Sequence, residues 1–211
     1  MALNPRPNIL IELCELLKDL PGIGKRSAER MAFSIYRWDN EKILALSDKL
    51  KNLHNAIHPC PICGNLSDTP EQGVCSICAS PYRDKTKICV VEDIAQIYSI
   101  ETADTYSGVY HVLGGLLAPA LGKYPENLHK LEQRVAAGDI SELILALSQD
   151  LEGQVTSVYI TEQLESYHIK ITRLACGLPA GSDLSYADPA TLALALNARI
   201  SMQQPPPSDI S

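Results

Sequence analysis

A chain of 211 residues with 45% hydrophobic and 20% charged residues has apolar material for one large or two modest domains of an ordinary soluble protein. Met1 leads into Ala2-Leu3-Asn4-Pro5-Arg6-Pro7, which lacks a basic stretch followed by an apolar core, and no apolar run reaches the ~18 residues that span a bilayer. A cytoplasmic protein with reduced thiols and no membrane contact is expected, and a net charge of −7 excludes one that coats nucleic acid through bulk charge.

The charge is uneven. Residues 1–85 hold 11 Lys and Arg against 10 Asp and Glu, whereas residues 86–211 hold 7 against 15. Any polyanion-binding surface is therefore expected in the N-terminal part. Residues 8–20 read as an amphipathic helix with Ile9, Leu10, Leu13, Leu16, Leu17 and Leu20 on its apolar face. Pro21, Gly22 and Gly24 stop it, and a second helix over 25–37 turns Ala28, Met31, Ala32 and Ile35 inward. Two short helices joined by a Gly-x-Gly turn make the pattern of a helix-hairpin-helix. Gly22 and Gly24 leave backbone N–H groups open at a helix N-terminus, where the macrodipole favours a phosphate. Lys25, Arg26 and Arg30 stand in the first two turns and could neutralise neighbouring phosphates. No base-reading side chain is evident, so such binding would ignore sequence. An ordinary αα-turn with solvated basic residues is the bland alternative, and such hairpins also serve as subunit contacts. The full run Leu20-Pro21-Gly22-Ile23-Gly24-Lys25-x-x-Ala28 favours DNA.

Residues 40–57 read as a third helix, with Ile43, Leu44, Leu46, Leu50, Leu53 and Ile57 on one side, ending before Pro59. It delivers the chain to Cys60-Pro61-Ile62-Cys63 and Cys75-Ser76-Ile77-Cys78, two Cys-x-x-Cys pairs separated by eleven residues. Four thiolates at that spacing suit one tetrahedral Zn²⁺, and Gly64 tolerates the left-handed turn a metal knuckle needs. Two disulfides or a doubled redox motif fit less well without a secretion signal. A closed set of Cys60, Cys63, Cys75 and Cys78 leaves no open coordination position, so a single structural zinc per chain is expected. His54 and His58 read as bystanders. Cys14, Cys89 and Cys176 read as buried core residues.

After a polar link over 79–86, apolar runs at 87–92, 109–113, 142–147 and 169–173 alternate with helical patterns at 94–101, 127–136 and 154–165. That interleaving predicts a parallel sheet covered on both faces, with chemistry at the carboxyl ends of its strands. Glu92 and the acidic loop over 148–153 lie at such ends. Glu92, Asp150 and Glu152 could hold Mg²⁺ through carboxylate oxygens and support phosphodiester chemistry; solvated loop carboxylates are the alternative. A last helix over 188–199 starts with Asp188 as N-cap and Pro189 at its first position. Its Leu192, Leu194 and Leu196 are poorly spaced for a one-sided helix, so burial on several sides or against another subunit is expected. Residues 203–211 read as a disordered tail.

Val91-Glu92 with the 148–153 loop resembles the Toprim domain of type IA topoisomerases, primases and certain nucleases. Such sites carry a Glu after the first strand and an Asp-x-Asp motif followed by Glu-Gly. The matching residues here are Glu92, Ser148, Asp150, Glu152 and Gly153, so a serine replaces the first Asp. The order of hairpin, four-cysteine site and Toprim domain resembles the RecR family of bacterial recombination mediators over residues 5–200. Val90-Val91-Glu92, Tyr110-His111-Val112-Leu113-Gly114-Gly115, Leu131-Glu132-Gln133-Arg134, Glu152-Gly153 and Arg173-Leu174-Ala175-Cys176-Gly177-Leu178-Pro179 carry the likeness. In that family the acidic loop usually reads Asn-Pro-Thr-Val-Glu-Gly, whereas Ser148-Gln149-Asp150 restores one carboxylate here.

The resemblance implies an α+β multidomain protein: a helix-hairpin-helix domain over 1–58, a four-cysteine zinc finger over 59–80, a Toprim domain with a mostly parallel sheet over 86–180, a C-terminal helical segment over 181–202 and the tail. It implies a non-enzymatic role with a degenerate acidic site, Mg²⁺ binding being left open. It further implies a homo-oligomer, dimer or tetrameric ring, that clamps single- and double-stranded DNA. The hairpin would join subunits and line the DNA path, and the Toprim part would meet the partners RecO and RecF in RecBC-independent recombinational repair and recombinase loading. The competing expectation is a Mg²⁺-dependent Toprim nuclease.

Overall fold

The computed structural model describes residues 6–69, 73–175, 177–178 and 181–199, and the chain divides into two compact units, 1–57 and 58–211. In the first unit α1 (Asn8–Lys18) packs against α2 (Lys25–Tyr36). Ala28 and Ala32 are fully buried on α2, since small side chains let the two backbones approach. Gly22 turns the chain with φ +79°, a left-handed conformation that glycine adopts without strain, and the Ile23 N–H donates to the Leu20 carbonyl at 3.1 Å. Asp39 caps α3 (Asn40–Ala56) by accepting the Lys42 N–H at 2.7 Å. The apolar face expected on α3 is present but uncovered: none of its residues is buried, and Leu50 is 61% exposed. Cys14 is half-buried, not the core residue expected, because α1 buries no side chain completely.

The second unit opens with a small hairpin, β1 (His58–Pro59) antiparallel to β2 (Leu66–Ser67), followed by α4 (Ser76–Ala79). Its body is a four-stranded sheet of β3 (Asp84–Val91), β4 (Gly108–Val112), β5 (Glu142–Ala146) and β6 (Lys170–Arg173) in the order β4-β3-β5-β6, every neighbouring pair parallel. Period-two alternation sends Ile88, Val90, Val109, Leu143 and Leu145 to one face, against Leu131 and Val135 of α6 (Leu128–Ala137) and Ile160 of α7 (Leu151–Gln163). Cys89, Val91, Tyr110, Val112 and Ala146 go to the other, against Ile97 of α5 (Ile94–Thr102). The sheet is thus covered on both faces, as its apolar strands require.

Two element starts and the burial of one helix differ from expectation. β3 begins at Asp84 instead of residue 87, because Asp84 pairs with Gly108 and Arg83 is anchored on Glu101 (Nη1–Oε1 2.9 Å) and on the Tyr106 carbonyl (3.1 Å). Those bonds draw polar residues into the ladder. α7 begins at Leu151 instead of 154, since Asp150 is its N-cap and Glu152 and Gly153 lie in its first turn. α8 (Pro189–Asn197) starts as expected, with Asp188 accepting the Ala190 and Thr191 N–H groups, but no residue of it is buried and Leu196 is 66% exposed. Burial on several sides is therefore not found. Cys176 and the tail over 203–211 lie outside the described residues. No described helix is long and apolar enough to cross a membrane.

Candidate metal centre and nucleic-acid interface

The metal centre is built from two knuckles. In the first, the Gly64 N–H donates to the Cys60 carbonyl (2.9 Å), the Cys60 N–H to the Asn65 carbonyl (2.6 Å), and the Asn65 N–H points at Cys63 Sγ (3.4 Å). Gly64 makes the turn possible with φ +79°, and an added Cβ there would press on Asn127 at 3.2 Å and Val112 at 3.3 Å. In the second, Cys75 stands at the N-cap of α4 and Cys78 within it. All four thiols are buried, and their sulfurs lie within 4.8 Å of one another. Zn–S bonds of about 2.3 Å in a tetrahedron separate sulfurs by about 3.8 Å, and Cys63 and Cys75 are 3.6 Å apart. The donor set therefore fits zinc without rearrangement. Hydrogen bonds from Cys75 and Cys78, together with burial, push the Cys63 thiol up, while bonds from Cys63 and Cys78 pull Cys75 down. Buried sulfurs without a cation share their protons; a divalent ion lets all four ionise. His54 and His58 stand outside the group. The Val112 N–H donates to the Cys63 carbonyl at 2.7 Å, which ties the finger to β4, the outermost strand of the sheet.

The three acidic candidates share an electrostatic field. Glu92 directly follows β3, and burial first, then Asp150, Asp93 and Glu152, hold its carboxyl above the usual range. Asp150 accepts from the Gly153 N–H and the Ser148 hydroxyl, both at 2.8 Å, which holds it below that range. Glu152 is exposed on the first turn of α7. Among the described residues, the four cysteines are the only group of three or more potential ligands whose donor atoms converge. The Ser148 hydroxyl steadies the helix cap that Asp150 makes.

At the hairpin, Gly24 is the N-cap of α2 and offers no side chain, so the first-turn N–H groups of α2 lack intrahelical partners. Neither Gly22 nor Gly24 has any atom within 4 Å of where a Cβ would stand, which leaves the turn open to close approach. Lys25, Arg26 and Arg30 are exposed and form no salt bridge among the described residues. Arg26 and Arg30 line one open groove together with Phe33, Arg37 and Trp38. Sequence reasoning passed over those last three, although the spacing 26, 30, 33, 37 marks one helical face.

Residues 10–54 match the family described as RecR, helix-hairpin-helix; residues 57–80 match the four-cysteine zinc finger domain of RecR; 86–175 match the Toprim domain; and 177–200 match RecR, C-terminal. A protein of Treponema denticola named recombination protein RecR is 43% identical over 195 residues, covering 92% of this chain and 98% of its own. The chain belongs to the RecR family. A protein of Beijerinckia indica, also named recombination protein RecR, is 45% identical over 189 residues, or 89% of this chain and 92% of its own. In this RecR-family chain the matched zinc finger holds all four converging cysteines, so the metal is one structural zinc per chain. Glu92, Asp150 and Glu152 all fall within the Toprim match. The hairpin glycines and Lys25, Arg26 and Arg30 fall within the RecR hairpin match.

Proposed function

We propose that this RecR-family chain is a recombination mediator that binds DNA, without regard to sequence, at the turn between α1 and α2. The observation that carries the proposal is the N-terminus of α2. Gly24 leaves its N–H groups uncapped, Gly22 leaves the approach open, and Lys25, Arg26 and Arg30 surround it without a salt bridge among the described residues. A phosphate placed there meets backbone donors and the positive end of the helix dipole. Phosphates of any sequence satisfy those groups equally.

The working form is a homo-oligomeric clamp, dimer or tetrameric ring. The uncovered apolar side chains of α3 support an assembly, for Leu44, Leu50 and Leu53 are all at least 46% exposed. Membership of the family supports a role in RecBC-independent recombinational repair alongside RecO and RecF, with recombinase loading as the outcome. The role is non-enzymatic. Ser148 and the use of Asp150 as a helix cap support that reading over a Mg²⁺ nuclease held by Glu92, Asp150 and Glu152.

The test is DNA binding by the zinc-loaded protein across a salt series. Replacing Lys25, Arg26 and Arg30 by alanine should weaken binding to every sequence alike and flatten the log–log salt slope by about 3 on duplex DNA and about 2 on single strands. Undiminished binding by the triple variant would sink the hairpin assignment. Cleavage of labelled DNA with Mg²⁺ that stops on Glu92→Gln would overturn the non-enzymatic part.

A further inference from the structure

A cleft between α6 and α7 is separate from the hairpin, the four cysteines and the carboxylates Glu92, Asp150 and Glu152, none of which lines it. Its floor is apolar, for Leu131 of α6, Ile160 of α7 and Leu164 just past α7 are all buried. Its rim is aromatic and acidic. Tyr124 and Tyr159 are 67% and 38% exposed there, beside Glu126 and Glu132. Among the described residues no lysine or arginine lines the cleft, and its one basic group, His129, has Nδ1 3.8 Å from Glu132 Oε2. The side chains of Tyr124, Glu126, Tyr159 and Gln163 make no hydrogen bond or ion pair among the described residues.

The volume is about 240 Å³, below the ~300–1,000 Å³ of pockets that enclose a whole small ligand. It suits one long side chain. The apolar floor asks for methylene groups, the tyrosine faces for a flat cation, and the carboxylates for N–H donors. Arginine supplies all three, with an aliphatic stem and a planar guanidinium that stacks on rings and pairs with carboxylates. Lysine supplies a stem and a charge but no plane. The surroundings act in the same direction: residues 86–211 hold 7 Lys and Arg against 15 Asp and Glu, a field that draws in a basic surface and repels a polyanion. We propose that the α6–α7 cleft receives an arginine from a basic segment of a protein partner. This docking site is independent of the hairpin and of any DNA bound there.

The test follows the methyl NMR signals of Ile160 and Leu164 in the zinc-loaded full-length protein. The probes are the peptide acetyl-Ala-Leu-Arg-Leu-Ala-amide and its analogues with citrulline or lysine in place of arginine. The arginine peptide should move both signals saturably. The citrulline peptide, alike in shape but uncharged, should bind roughly ten-fold more weakly, and the lysine peptide about three-fold. Glu126→Gln with Glu132→Gln, and separately Tyr159→Ala, should each cost roughly ten-fold, whereas Tyr159→Phe should keep most of the affinity because the ring face holds the guanidinium. Methyl signals elsewhere in the second unit should stay in place, which shows that each variant is folded, and DNA binding should be unchanged in all of them. Signals that ignore the arginine peptide, equal binding of the citrulline or lysine peptide, or an unweakened double variant would overturn the proposal. So would tighter binding of spermidine than of the peptide, which would make the occupant a free polyamine. Signals that follow protein concentration and ignore the peptide would put a second copy in the cleft and equally overturn it.

Discussion

An added Cβ on Gly153 would stand 2.0 Å from the Ser148 carbonyl oxygen and 2.6 Å from its hydroxyl. The nearest obstacle is backbone at the end of a core strand, which cannot swing aside as a side chain can. Gly153→Ala should therefore destabilise the second unit by about 2–3 kcal/mol, read as a lower urea midpoint at unchanged slope. His111 gives a pH-dependent counterpart. It is buried on β4, its Nε2 is bonded to the Asn127 carbonyl at 3.0 Å, and its Nδ1 has no partner among the described residues. Burial, with the nearby cations Arg134 and Lys130, lowers its pKa to about 4 against the Asn127 bond that raises it. An unfolded histidine titrates near 6.5, so the unfolded chain takes up the proton first as pH falls. The stability tied to His111 is complete above about 6.5 and drains away toward about 4, by as much as ~3 kcal/mol. His111→Gln should flatten that stretch of the stability–pH curve, measured by urea unfolding with zinc in excess at about pH 7 and about pH 5. An unchanged curve would show that other groups carry the loss.

At the scale of elements, the finger is the part whose existence depends on something outside the chain. Its two strands have two residues each and α4 has four, too little to fold on backbone bonds alone. Chelation, or Cys75→Ser, should melt residues 58–79 and lower the unfolding temperature, with loss of hydrogen-exchange protection at Cys60 and Asn65 as the local reading. Full stability after metal removal would make the site incidental. The elements that were legible in the sequence are those in which one period dominates. The β3 and β5 cores were plain in Ile88–Val91 and Leu143–Ala146 because both faces are buried, and α2 was plain because Pro21, Gly22 and Gly24 end one helix and open another. The four cysteines declared the metal through spacing alone. The start of β3 was hidden because the Asp84 N–H donates to the Ser107 carbonyl at 2.9 Å and the Thr86 carbonyl accepts the Ser141 N–H at 2.8 Å, long-range bonds that no local pattern records. The start of α7 was hidden for another reason. An aspartate three residues before a glycine reads equally as a ligand or as a cap, and only the Gly153 N–H decides.

At the scale of the whole chain, α3 is the longest described helix and leaves its apolar side chains bare. α3 carries Ile43, Leu44, Leu46, Leu50 and Leu53 outward over its 17 residues, more than an isolated soluble helix leaves bare. If subunits meet there, Leu44→Glu with Leu50→Glu should lower the solution mass measured by light scattering while each chain stays folded by circular dichroism. A mass unchanged by both charges would move the contact elsewhere. The hydrogen bond from Val112 to Cys63 has a wider consequence. β4 is an edge, and its sequence Gly-Val-Tyr-His-Val is the sort that recruits a neighbouring strand when left open. The finger covers the Val112 end of that edge, while the side chains of Tyr106, Arg134 and Asn127 take the Val109, Tyr110 and Val112 carbonyls. Starved of zinc, the chain would lose more than a local fold: it would open the Val112 end of an apolar edge strand to a neighbouring chain, so that metal supply would bear on how much of the protein stays in solution.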